Sequence, residues 1–358
     1  MNSHLSDYGY TDYFEQQAVL YDGLFAARIT AQHRDLYRVI CARGEISAKV
    51  SGKFLYHAEG VAGFPAVGDW VMIDQREEAV GSAVIHHVLR RKSVLARQSA
   101  GAGNDGQVIA ANIDTIFICM SLNADFNVRR LERYLTLAWE SMATPVIVLT
   151  KADLCRDLPQ KMSELAPASM GVDVIVCSGE NGNGMEKVNA YAQKGQTIAF
   201  IGSSGVGKST LINRLAGNEM LATKPIREGD DKGRHTTTHR QLLLLHTGGI
   251  VIDTPGMREL QIHSGNLSKT FEDIEEMAAY CKFGDCSHEA EPGCAVRAAI
   301  ARGDLLQKRF ESYRKLQREI SYDGLSARRL ENEKINRMFG GKSEMKQFMR
   351  HIKEKNNR

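Results

Sequence analysis

Four near-continuous apolar runs dominate the middle of the chain, over residues 113–120, 144–149, 173–177 and 197–201. Each has the length of a strand buried on both faces, and between the first two Val128, Leu131, Leu135 and Ala138 recur at helical spacing. The alternation predicts a doubly wound α/β domain over 107–266. Within it, 241–246 and 250–253, joined by Thr247-Gly248-Gly249, form a hairpin that adds an antiparallel edge strand. Over 25–100 the apolar runs shorten and alternate, at 36–40, 46–50, 70–73 and 83–85, separated by Gly, Asp and Pro. Short strands with frequent turns predict a small closed barrel of the oligonucleotide-binding (OB) type, with Pro65-Ala66-Val67-Gly68-Asp69 as a turn feeding one strand; a barrel with no ligand fits the pattern equally. Residues 1–24 lack a regular period and read as an arm, and 101–106 as a flexible connector. From Leu267 to the end helices dominate. Leu305, Phe310, Tyr313, Leu316 and Ile320 mark one amphipathic helix, followed by a charged, fraying tail over 328–358.

Chemistry enters where the fourth run ends. Gly202-Ser203-Ser204-Gly205-Val206-Gly207-Lys208-Ser209-Thr210 follows a strand and precedes the helical pattern of 211–216, the setting of a phosphate-binding loop. Backbone N–H groups of such a loop surround a polyphosphate, Lys208 reaches its outer phosphates and the Ser209 hydroxyl ligates Mg²⁺. Downstream, Asp253-Thr254-Pro255-Gly256 closes a buried strand with an acid that can hold Mg²⁺ through water and a Gly N–H that can sense a γ-phosphate. Upstream, Thr150-Lys151-Ala152-Asp153 also follows a strand. A carboxylate there accepts from both N1–H and the exocyclic amine of guanine, whereas adenine presents an acceptor to it, so Asp153 selects guanine. Ser178-Gly179 closes the next strand, placed to donate to the guanine carbonyl.

The chain has 358 residues, 43% of them hydrophobic and 25% charged, enough for two or three cored domains of ordinary globular composition. No apolar run approaches the roughly eighteen residues of a membrane span, and the start lacks a basic segment followed by an apolar one, so no membrane association or export is expected and a cytoplasmic protein is. Cys281, Cys286, His288 and Cys294 crowd into fourteen residues. Three thiolates and an imidazole are the ligand set of one closed, structural zinc site. Cys41, Cys119, Cys155 and Cys177 read as ordinary buried thiols. The net charge is only +3, yet from Arg302 onward sixteen Lys/Arg stand against eight Asp/Glu. Such a surplus is either a solvated helical face or a contact for an RNA backbone.

Because the base-reading motifs precede the phosphate loop, the chain resembles the circularly permuted GTPases. Within them it is most similar to the ribosome small-subunit-dependent GTPase A family, through the barrel turn, Thr150–Asp153, the phosphate loop, Gly233-Arg234-His235-Thr236-Thr237-Thr238, Asp253–Gly256 and the Cys/His group. The resemblance implies an OB-type barrel, a circularly permuted GTPase domain and a helical zinc module over 267–358. It also implies a monomer that binds GTP and GDP, docks on the small ribosomal subunit and its rRNA late in maturation, and hydrolyses GTP there. By the same resemblance Thr237 is the switch threonine on Mg²⁺, with Thr236 as the alternative, and His235 positions the attacking water or serves a structural role in the switch. Met257 stands where many GTPases carry a water-orienting Gln, so intrinsic hydrolysis should be slow. Permutation runs the Asp253 strand through the second switch into the zinc module, a route for GTP-gated movement of that module. Two other classes compete: a P-loop phosphotransferase, and a zinc-stabilised RNA-binding scaffold with an inert nucleotide site.

Overall fold

The computed structural model describes residues 3–33, 36–57, 63–74, 82–98, 106–217, 240–253 and 267–321. Five strands close a barrel: β1 (Phe25–His33), β2 (Leu36–Cys41), β3 (Gly44–Val50), β4 (Trp70–Asp74) and β5 (Ser82–Val88), in the order β1-β2-β3-β5-β4 with β4 returning to β1. Alternate residues Ile29, Val39, Ala48, Val71, Ile73 and Ile85 point inward and are fully or almost fully buried, the period of two that a barrel wall requires. The turn before β4 needs glycine at one place: Gly68 sits at φ 93°, and a Cβ there would lie 2.2 Å from the Ala111 carbonyl oxygen.

A hairpin of β6 (Val94–Gln98) and β7 (Gly106–Ala111) leads to the second unit, so the segment read as a connector ends in a strand. There β8 (Thr115–Ser121), β9 (Thr144–Thr150), β10 (Asp173–Val176), β11 (Thr197–Ile201), β12 (Gln241–Leu244) and β13 (Ile250–Asp253) form the sheet β10-β9-β8-β11-β13-β12, parallel except for β12. On β8, Phe117 and Cys119 face one core while Ile116, Ile118 and Met120 face the other; β9 and β11 divide in the same way. Two covered faces explain why these strands are apolar at successive positions. The hairpin of β12 and β13 is as expected, but β12 is not an edge. Its far side pairs with β1 through Ala31 and Gln241, so one continuous sheet runs from the nucleotide-type domain into the barrel.

Ten helices complete the described chain: α1 (Ser3–Ser6), α2 (Asp12–Ala18), α3 (Gly52–His57), α4 (Val128–Glu140), α5 (Leu158–Leu165), α6 (Met185–Asn189), α7 (Lys208–Ala216), α8 (Glu272–Ala278), α9 (Ala295–Arg302) and α10 (Gln307–Ser321). The stretch expected as an arm is packed instead: Leu5, Tyr10 and Phe14 are buried against Trp70, Met72 and Leu89. Its two helices are too short to show a period, so only tertiary burial reveals them.

Arg28 joins barrel, N-terminal turn and central sheet. It is 1% exposed, and its guanidinium donates to the carbonyl oxygens of Tyr8, Gly68 (3.2 Å) and Asn112 (3.2 Å) and to Thr197 Oγ1 (2.9 Å), at the start of β11. Asp69, fully buried beside it, receives two hydrogen bonds from Arg91 at 2.8 and 2.7 Å and one from the Ala66 N–H at 2.8 Å. The C-terminal helices are fixed to α4 in a similar way. Arg309, 6% exposed on α10, reaches Glu132 on α4 at 2.7 Å and Asp273 on α8 at 2.7 Å, while Arg133 pairs with Glu319. Phe310, Tyr313 and Leu316 are buried as the amphipathic pattern requires, and Leu305 is buried in the turn ahead of the helix.

Candidate nucleotide site and metal centre

The parallel strands deliver their loops to one edge of the sheet. Chain order runs outward from β8 to β10 in one direction and from β11 to β13 in the other, so the junction of β8 and β11 is a switch point, where open α/β sheets bind ligands. The phosphate loop leaves β11 there. Gly202 has φ 144° and its Cβ would lie 2.4 Å from the Cys119 carbonyl oxygen, so a side chain at that position would collide with β8. Gly205 and Gly207 are left-handed, Val206 is buried, and Lys208, Ser209 and Thr210 open α7. Lys208 is only 9% exposed, and its ammonium donates to the carbonyl oxygens of Gly202 (2.8 Å) and Ser203 (2.6 Å). Across the loop, burial pushes the Asp253 carboxyl above its usual range while the Lys208 ammonium draws it back.

The loop after β9 is wired to the phosphate loop. Thr150, 2% exposed at the end of β9, donates its hydroxyl to the Val206 carbonyl oxygen and so tethers the two loops. Lys151 adopts φ 56° and the Ala152 N–H donates to the Cys177 carbonyl at 3.2 Å, turning the chain so that Asp153 projects outward. Asp153 is exposed. Ser178, fully buried, donates its hydroxyl to Asp153 Oδ1 and accepts from the N–H groups of Glu180 (3.2 Å) and Asn181 (3.3 Å). The Ser178 side chain, as well as its backbone, therefore faces this loop and fixes the orientation of the Asp153 carboxylate. Arg214 on α7 donates to the Gly179 carbonyl at 2.8 Å, and Gly179 itself abuts Thr210. Thr150, Lys151, Ala152, Asp153, Ser178, Gly179 and the loop 202–210 therefore lie together at one edge of the sheet. His235, Thr236, Thr237, Gly256 and Met257, and the tail beyond Ser321, lie outside the described residues.

Cys281, Cys286, His288 and Cys294 converge. Their ligand atoms all lie within 4.8 Å of one another, with Cys281 Sγ to Cys294 Sγ 3.9 Å and His288 Nδ1 3.6 and 3.4 Å from those two sulfurs. Thiolates about 2.3 Å from a tetrahedral ion sit about 3.8 Å apart, so the group fits a metal ion. Cys294 caps α9, its sulfur accepting from the Arg297 N–H at 3.4 Å. Of the other cysteines, Cys41, Cys119 and Cys177 are buried, whereas Cys155 is partly exposed beside Lys161, contrary to expectation. Burial raises the Cys119 thiol to about 12 and the Cys177 thiol to about 11, leaving both protonated and unreactive at neutral pH.

Residues 88–263 match the family model described as RsgA GTPase. A second model, described as ABC transporter, matches 185–355, a range containing the phosphate loop that nucleotide-binding families share. Small ribosomal subunit biogenesis GTPase RsgA 2 of Lactiplantibacillus plantarum is 58% identical over 97% of this chain and 97% of its own length. Small ribosomal subunit biogenesis GTPase RsgA 1 of Listeria innocua is 45% identical over 89% of this chain and 90% of its own. Among solved structures, YjeQ from Thermotoga maritima (TM-score 0.61, 28% identity) covers 83% of this chain, and is itself covered over 98%. YloQ, described as a circularly permuted GTPase, has a TM-score of 0.60 at 27% identity, covering 84% of this chain and 96% of its own. With base loop before phosphate loop on a switch-point edge, a barrel in front and a Cys/His group behind, and with these relatives, the chain belongs to the RsgA family of circularly permuted GTPases.

Proposed function

We propose that this GTPase acts in maturation of the small ribosomal subunit: it binds GTP with Mg²⁺, docks late on the subunit and its rRNA as a cytoplasmic monomer, hydrolyses GTP there and leaves as the GDP form. The observation that carries the nucleotide half is the Thr150–Val206 tether, which holds a guanine-reading carboxylate and a phosphate loop at fixed separation. Names of the close relatives support the ribosomal half. Asp153 pairs with the base, Ser178 orients it, Lys208 and the loop N–H groups neutralise the phosphates, and Ser209, Thr237 and Asp253 hold Mg²⁺. Gly256 senses the γ-phosphate and His235 positions the water. We divide the chain at 1–24, 25–100, 107–266 and 267–358, the last carrying RNA-facing positive charge.

GTP turnover measured with and without purified small subunits tests this reading. Stimulation by the subunit, lost in His235→Ala, is expected; unchanged turnover would remove the ribosomal role, and stimulation that survives His235→Ala would remove the histidine's.

The metal is Zn²⁺, structural because all four ligand positions are protein atoms. Zinc in such sites contributes about 10–16 kcal/mol, comparable to the about 5–15 kcal/mol of a whole domain. Chelation, or Cys294→Ala, is therefore expected to unfold the 279–294 segment, read as rapid proteolytic cleavage there and as loss of one zinc per chain. Resistance to cleavage without metal would contradict a folding role.

A further inference from the structure

Ser203, the second residue of the phosphate loop, is gripped from two sides. Its carbonyl oxygen accepts from the Lys208 ammonium at 2.6 Å, and its hydroxyl accepts from the Arg130 guanidinium. Arg130 belongs to the first turn of α4, 73 residues earlier in the chain. Its second terminal nitrogen donates to the Asp125 carbonyl (2.9 Å) and carboxylate (2.8 Å) in the turn after β8, and its own N–H is capped by Asn127 at 3.0 Å. That turn is itself fixed, because Asn123 Oδ1 accepts from Ser121 Oγ at 2.8 Å and from the Asp125 N–H at 3.0 Å. Tyr134, one turn along α4, is buried beside the same small cavity. The helix cannot drift, since its other face carries the Glu132–Arg309 and Arg133–Glu319 pairs to α10.

From this geometry we infer that Arg130 is a positioning residue for GTP hydrolysis, fixing Ser203 so that the loop keeps its shape when Lys208 lets go of the Ser203 carbonyl and turns to the phosphates. It rests on reading 202–209 as the phosphate loop. The ammonium must exchange two carbonyl partners for phosphate oxygens, and that exchange leaves the loop backbone dependent on its remaining anchors. A planar guanidinium can bridge hydroxyl, carbonyl and carboxylate at once; an ammonium has no such fork. The loop donors act most on charge that develops in the transition state, so a loosened loop loses rate more than ground-state affinity.

Steady-state turnover of the full chain tests it with Arg130→Met, which keeps the aliphatic length. The expected result is a kcat lowered about tenfold with KM for GTP within about threefold, and guanine preference intact. Asp125 and Arg130 are both partly exposed, so the melting temperature should move by no more than about 3 °C. Ser203→Ala should lower kcat similarly, and the double variant should be no worse than the worse single one. Arg129→Met, whose partner is the exposed Glu311, is the control and should leave turnover unchanged. An unchanged kcat in Arg130→Met, a loss confined to KM or thermal stability, or additive effects in the double variant would each overturn the assignment. Absence of turnover in the unaltered protein would instead remove the phosphate-loop reading on which it stands.

Discussion

Replacing Arg28 by Met is expected to lower unfolding stability by about 3–5 kcal/mol, a factor of at least 100 in the folding equilibrium. The guanidinium is completely buried and its pKa is lowered to about 10 by loss of solvent, with Asp114 and Asp69 opposing that shift, so it remains charged at neutral pH. Methionine fills much of the space but leaves the acceptors at Tyr8, Gly68, Asn112 and Thr197 short of a donor in a dry seam, each costing about 1–3 kcal/mol where no water enters. Lysine should rescue little, because one ammonium cannot reach four acceptors spread over four segments. The pH sign runs against ordinary ion-pair loss: the unfolded chain holds this proton to higher pH than the native one, so the group's contribution becomes less unfavourable above pH 10. Urea unfolding of Arg28→Met and Arg28→Lys checks the magnitude. A loss below about 1 kcal/mol would mean that the seam is not a structural joint.

A larger effect is expected at Asp153. In Asp153→Asn the amide oxygen still accepts from N1–H, but the amide nitrogen is a donor and meets the donor amine of guanine. Xanthine carries a carbonyl at that carbon and keeps N1–H, so its pattern matches asparagine. Sites built around polar pairs discriminate by about 10⁴. The variant should therefore lose GDP affinity by about 10³–10⁴ and gain xanthosine diphosphate by a similar factor, with Ser178 still able to hold the side chain through its Oδ1. Since Asp153 is exposed without ligand, the substitution should leave stability unchanged within about 0.5 kcal/mol.

The parts of this site that the sequence displays are those made by local backbone demands. A glycine-rich turn between strand and helix, a Thr-Lys-Ala-Asp after a buried strand and four metal-type ligands within fourteen residues are all contiguous, so their chemistry can be read along the chain. The strands themselves are legible because two buried faces impose apolar runs. What stays hidden is long-range pairing. Arg130 meets Ser203 across 73 residues and Arg28 meets Thr197 across 169, and nothing in composition distinguishes these arginines from solvated ones. The same holds for β12, whose hairpin partner is a near neighbour but whose second partner, β1, lies two hundred residues away, and for Leu5, Tyr10 and Phe14, whose burial depends on Trp70. Ser178 is intermediate: its place at a strand end is evident, while its hydroxyl's grip on Asp153 appears only once two loops are folded together.

The most direct test of the account is calorimetric titration of the unaltered protein with GDP and ADP in the presence of Mg²⁺. A carboxylate tethered beside the phosphate loop predicts GDP binding at least about 10³-fold tighter than ADP. Equal affinities, or a preference for ADP, would contradict it.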